Sequence, residues 1–269
     1  MNQLYRALHM PPRRLLRKLT GEKEIYTIAV RPLPPAEGAD PLPALGTGPY
    51  RQLPGREGFW YADPLLYRRD GGRWLFAEAM DRAAGKGRIE VCRLADDGTA
   101  EPWQTVLEED FHLSFPMVFD WNGDTWMIPE SGADHSLRLY RCREFPTGWE
   151  LVQRFAVQEE LCDAILVDRT PDALTLLCSE TKPDNQLFVR YRRYTLRKTP
   201  PPAPPLPDTE PPAAPEGPFE LLPDEAFNLQ HRARPCPAAC RSKGWTRPTS
   251  SACIPTAATI RWRSSTRAI

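Results

Sequence analysis

Between positions 59 and 194 the apolar residues fall in short alternating runs broken by turn pairs, and nowhere do they hold a helical period. Runs 65–67, 73–76, 89–94 and 125–128 have strand composition. Asp70-Gly71-Gly72, Asp97-Gly98 and Asn122-Gly123 supply hairpin turns, because these residues tolerate positive φ. The pattern predicts an all-β region.

The strands also repeat. Ala62-Asp63-Pro64-Leu65-Leu66-Tyr67 leads through a turn to Trp74-Leu75-Phe76-Ala77-Glu78. Ser114-Phe115-Pro116-Met117-Val118-Phe119 leads likewise to Trp126-Met127-Ile128-Pro129-Glu130, and Cys162-Asp163-Ala164-Ile165-Leu166-Val167 to Leu176-Leu177-Cys178-Ser179-Glu180. Asp63 to Glu78 and Phe115 to Glu130 are each 15 residues, Asp163 to Glu180 is 17, and the units start 52 and 48 residues apart. Two more strands follow in each unit: 88–94 and 103–107, then 136–142 and 149–155, then 187–194 with a remnant at 219–222. Four strands per repeat of roughly 50 residues is the arithmetic of a β-propeller blade. A β-sandwich would not repeat a strand–turn–strand module ending in Glu. About three blades are legible, an incomplete set.

Outside the repeats the composition changes. Residues 1–24 form a basic segment, 25–30 a strand, and 31–54 a Pro/Gly-rich connection that completes the 25–199 propeller region. The run 200–218 holds ten prolines, which favours a solvated insertion over a sheet strand; an SH3-type ligand is the alternative. Residues 219–230 carry the remnant strand. The 35 basic and 35 acidic side chains cancel overall, but 231–269 hold seven Arg, one Lys and no acid. That tail is expected to be out of frame and disordered. Its arginines are scattered singly, so no nucleic-acid partner is expected.

No apolar run approaches the roughly 20 residues of a membrane helix, and 1–20 lack a signal-peptide core. Seven cysteines without a regular framework point to a reducing, cytoplasmic setting. Cys236, Cys240, Cys253 and His231 lack the paired spacing of a zinc site, so neither metal nor cofactor is expected. Nucleophile-elbow, Gly-rich phosphate-loop and HExxH motifs are absent, which disfavours kinases, dinucleotide enzymes and metalloproteases.

The remaining chemistry is carboxylate chemistry. Asp63 and Asp163 begin two inner strands, where propellers present ligand-binding groups. A pair of carboxylates suits glycoside chemistry, one as base or nucleophile and the other protonating the leaving oxygen. Glu130 or Glu180 is the candidate acid; the alternative for these and for Glu78 is bonding between blades. Substrate-binding candidates are Trp60 for stacking, Glu78, His112 and Ser114 for hydroxyls, and Lys86 and Arg88 for an anionic group. Trp74 and Trp126 share one repeat position, which predicts core packing.

Further motifs occur in order: Trp60-Tyr61-Ala62-Asp63-Pro64, Gly85-Lys86-Gly87-Arg88-Ile89, Phe111-His112-Leu113-Ser114-Phe115-Pro116, Met127-Ile128-Pro129-Glu130-Ser131, Arg138-Leu139-Tyr140-Arg141 and Phe145-Pro146, then Trp149. Together they resemble the N-terminal domain of the glucosamine inositolphosphorylceramide transferase family over roughly 25–195. The resemblance implies a five-bladed propeller similar to arabinanase, β-xylosidase and invertase-type enzymes, with Asp63 at the general-base position. It also implies a carbohydrate or glycoconjugate ligand and a fused or separate transferase domain as partner. Phe115 stands where those glycosidases supply a further aspartate. The expectation is a carbohydrate-binding or carbohydrate-processing domain, in a chain whose closing blades and competence the tail puts in question; the alternative is a non-catalytic interaction scaffold.

Overall fold

The computed structural model describes residues 25–31, 49–181, 190–199 and 217–230. The basic segment 1–24, nearly all of the Pro-rich run 200–218 and the tail 231–269 lie outside them.

The described chain is almost entirely strand. β1 (Ala29–Val30) and β2 (Arg51–Gln52) make a small antiparallel pair. Three four-stranded antiparallel sheets follow, each a meander in chain order. The first holds β3 (Phe59–Arg69), β4 (Gly72–Asp81), β5 (Lys86–Leu94) and β6 (Gln104–Leu107). The second holds β7 (Ser114–Trp121), β8 (Asp124–Glu130), β9 (Ser136–Glu144) and β10 (Gly148–Ala156). The third holds β11 (Glu160–Arg169), β12 (Ala173–Thr181), β13 (Arg190–Lys198) and β14 (Phe219–Pro223). The leading strands lie side by side, β3 against β7 and β7 against β11. These are three successive blades of a β-propeller, and among the described residues they do not close into a ring.

Local chemistry explains the hairpins. Asp70 and Gly71 both have positive φ, as do Asn122 and Gly123, and each pair is the two-residue loop between directly paired strands. At Asp97-Gly98 only the glycine is left-handed. The third blade is more complete than a remnant: β14 pairs with β13 from Tyr194↔Pro223 to Lys198↔Phe219. A short helix, α1 (Glu225–Gln230), then follows; Asp224 caps it by accepting the Phe227 N–H at 2.9 Å.

Each blade buries one face against its neighbour. Phe76, Ile89 and Val91 of the first blade pack on Val118, Met127 and Tyr140 of the second. Trp126, Ile128 and Leu139 of the second pack on Leu174, Leu176 and Leu196 of the third. The other face of the first blade is covered by Ile28, Leu53 and Trp103. Trp126 is core, as its repeat position predicts, and Trp74 packs edge-on to Phe145 at 5.1 Å. Cys92, Cys142, Cys162 and Cys178 form no disulfide.

Candidate functional site

All three leading strands break register at one place. Residues 63–64 of β3 oppose the single residue Ala77, residues 115–116 of β7 oppose Pro129, and residues 163–164 of β11 oppose Cys178. Each is a bulge of two residues against one. Its first residue is left-handed in every blade: Asp63 (φ 45°), Phe115 (φ 42°) and Asp163 (φ 50°). None is glycine, so each conformation carries on the order of 1–2 kcal/mol of backbone strain. Pro64 and Pro116 fit the second bulge position because an unpaired residue needs no ladder N–H.

The bulges gather acids from three blades. Asp63 and Asp163 repel one another across the site, and burial together with that repulsion raises the Asp63 pKa; burial alone raises that of Asp163. The Phe115 N–H donates to the Asp63 carboxylate and partly offsets the rise. Glu130 accepts from the Asp163 N–H at 3.4 Å and bonds to the buried Ser114 hydroxyl. Burial, then the charge of Asp163, pushes Glu130 up to about 7. Burial, then Asp63 and Glu130, pushes Glu78 up to about 8. Two glutamic acids that titrate near neutral pH thus stand beside two aspartates, as acid–base chemistry requires.

His112 is set against Glu78. The Gly87 N–H donates to His112 Nδ1 at 2.9 Å, which places the ring proton on Nε2, 3.4 Å from Glu78 Oε1. Burial lowers the His112 pKa and raises that of Glu78, and both shifts work against an ion pair across this 3.4 Å approach. Gly87 is there for space: a Cβ would meet the Leu113 carbonyl oxygen at 2.5 Å, His112 Cε1 at 2.7 Å and Glu78 Oε1 at 3.0 Å. Gly87→Ala is therefore expected to destabilise the chain by about 1–3 kcal/mol through overpacking. Urea unfolding checks it; an unchanged midpoint would mean that the strand yields without strain.

Other sequence candidates lie elsewhere. Glu180 does not join the cluster. Glu78 and Glu130 sit opposite the residue before the bulge, Ala62 and Ser114, whereas in the third blade that place belongs to Ser179, opposite Cys162. The one-residue slip turns Glu180 to the face shared with Leu174, Leu176 and Cys178, where Arg192 Nε binds it at 2.8 Å. Lys86 and Arg88 are not available to an anion. The Lys86 ammonium donates to the Glu109 carbonyl at 2.6 Å, and Arg88 pairs with Glu90 at 2.8 Å and Glu108 at 3.4 Å over the Phe59 ring. Trp60 is half-buried beside Tyr26, their ring centroids 5.1 Å apart. Among the described residues no group of three or more His, Cys, Asp or Glu side chains is arranged to hold a metal ion.

Fold and site define a β-propeller domain with a carboxylate cluster at the bulges of its leading strands. The family described as "Glucosamine inositolphosphorylceramide transferase 1, N-terminal" matches residues 52–191, more than half of the chain, and the chain belongs to that family. Curated relatives include Glucosamine inositolphosphorylceramide transferase 1 of Arabidopsis thaliana, 38% identical over 107 residues, and that of Oryza sativa subsp. indica, 37% identical over 107. Those alignments span 39% of this chain and only 14% of each relative. Among solved structures, a B. megaterium levansucrase mutant aligns with TM-score 0.43 and 13% identity over 64% of this chain and 58% of its own. The catalytic domain of a Coprinopsis cinerea GH62 alpha-L-arabinofuranosidase aligns with TM-score 0.40 and 12% identity, covering 64% and 52%. No helix among the described residues is long and apolar enough to cross a membrane.

Proposed function

We propose that the chain is a carbohydrate-binding and carbohydrate-processing domain of glycan-transfer machinery, with Asp63, Glu78, Glu130 and Asp163 as its site. The observation that carries this is the convergence of four carboxyl groups from three blades, all four with raised pKa values and the two glutamates lifted to about 8 and about 7. Asp63 and Asp163 accept hydrogen bonds from sugar hydroxyls, and Glu78 and Glu130 in their protonated forms donate to ring or leaving oxygens. In processing, Asp63 is the base and Glu130 the acid, its proton held by burial and by the charge of Asp163. The family name supports a sugar ligand. The acidic cluster and the engaged Lys86 and Arg88 favour a neutral or amino sugar over an anionic one.

Titration of the full chain with glucose, glucosamine and glucuronate, followed by NMR chemical shifts, tests the reading. Glucose or glucosamine is expected to bind and glucuronate not, and Asp63→Asn is expected to weaken binding at least tenfold, about 1.4 kcal/mol. Binding that survives Asp63→Asn unchanged would remove the cluster from the site. The scaffold reading draws on one observation: the face of the third blade turned away from the second leaves Ile165, Val167 and Tyr191 exposed. A wild-type chain blind to all three sugars would favour it.

A further inference from the structure

Phe115 is the one left-handed bulge residue without a carboxyl group, and its placement has no explanation in the packing. It belongs to none of the three hydrophobic clusters, although its neighbour Met117 packs against one of them. Among the described residues no aromatic ring pairs with it, and its side chain is only half-buried. A bulky side chain in the left-handed region is unfavourable, and the residue before a proline is ordinarily extended. Yet this ring is held at the position that holds Asp63 in the preceding blade and Asp163 in the following one. Those two aspartates are near enough to repel one another, and the Phe115 N–H anchors Asp63. Strain kept for a ring that packs on no core points to a ligand.

We propose that Phe115 is the platform for the apolar C–H face of a pyranose ring, with Asp63 and Asp163 taking hydroxyls at its two edges. This rests on the sugar-binding reading above and narrows its ligand. A β-gluco-configured pyranose has its hydroxyls equatorial and one face made of axial C–H groups, which matches an aromatic ring flanked by acceptors. A ring sugar is therefore selected over an open-chain polyol with the same hydroxyls.

Methyl β-glucopyranoside and sorbitol are the probes, followed by ligand proton NMR with the full chain. Upfield ring-current shifts are expected on H1, H3 and H5 of the glucoside, with sorbitol binding on the order of tenfold more weakly. Phe115→Asn, an αL-tolerant substitution, is expected to abolish those shifts and weaken binding by a similar factor while the unfolding midpoint stays the same or rises. Phe115→Tyr is expected to restore both. If Asp63→Asn loses binding while Phe115→Asn keeps it, with no shifts in wild type, the platform falls and the carboxylate site stands. If neither probe binds wild type, both fall. A large loss of stability in Phe115→Asn would make Phe115 a packing residue and overturn the proposal.

Discussion

Replacing Glu90 by alanine is expected to lower the unfolding free energy by about 3–5 kcal/mol, the range for removing one partner of a buried ion pair. Glu90 is fully buried in the first blade, on β5. Its Oε1 accepts from Arg56 Nη1 at 2.6 Å, Arg88 Nε at 3.0 Å and Thr105 Oγ1 at 3.2 Å; its Oε2 accepts from the Tyr61 hydroxyl at 2.9 Å. Arg56 is part-exposed and can turn to water, but Arg88 is mostly covered and the Tyr61 ring is stacked on Trp103 at 4.5 Å. Truncation leaves their donors stranded beside a cavity, which places the effect well above that of a surface ion pair. Urea unfolding at neutral pH measures it. Glu90→Gln keeps an acceptor and is expected to lie between wild type and alanine. A change under 1 kcal/mol for alanine would mean that water replaces the carboxylate.

Glu90 also marks where reading the sequence stops. The strand that carries it is legible from alternation, which also puts Arg88 on its face, but its other partners come from positions 56, 61 and 105, and no local pattern joins them. Hairpins are local: Asp70-Gly71 and Asn122-Gly123 have the turn chemistry their φ values require, and the blade repeat follows from their even spacing. The bulge was visible only as a motif. Asp63-Pro64 and Phe115-Pro116 recur at equal offsets, but that the first residue is left-handed in all three blades depends on the strands paired beside it. Glu180 was misplaced because ending in Glu is a property of composition, whereas facing the site is a property of register, and one residue of slip reverses the face. Lys86 and Arg88 read as available cations because Glu108 and Glu109 are some 20 residues away along the chain. His112 was placed among the binding residues; its Nε2 proton faces Glu78, which the Gly87 N–H decides.

Glu78→Gln is expected to flatten the dependence of stability on pH and to make the protein more stable than wild type in mild alkali. In the folded chain Glu78 titrates near 8, raised by burial and then by Asp63 and Glu130, against an ordinary value of 4.5. Between those values the folded state keeps a proton that the unfolded state has released, so stability falls as pH rises. The contribution is complete below about 4.5 and gone above about 8. Glutamine fills the same space and carries no charge at any pH. The difference between variant and wild type should be near zero at pH 4.5 and grow to about 2–4 kcal/mol in favour of the variant by pH 8, at up to about 1.4 kcal/mol per pH unit. Glu130, raised to about 7, remains in both proteins, so the variant keeps a shallower slope that ends near 7. Urea unfolding at pH 5, 6, 7 and 8 gives the two curves, and parallel curves would show that Glu78 is ionised in the folded chain at neutral pH. In the proposed site, the proton that creates the slope is also the one offered to a bound sugar oxygen. Glutamine retains a donor there but cannot release it, so the variant should keep binding of a sugar as pH rises through about 8, where the wild-type donor is progressively lost, without gaining any ability to transfer a proton.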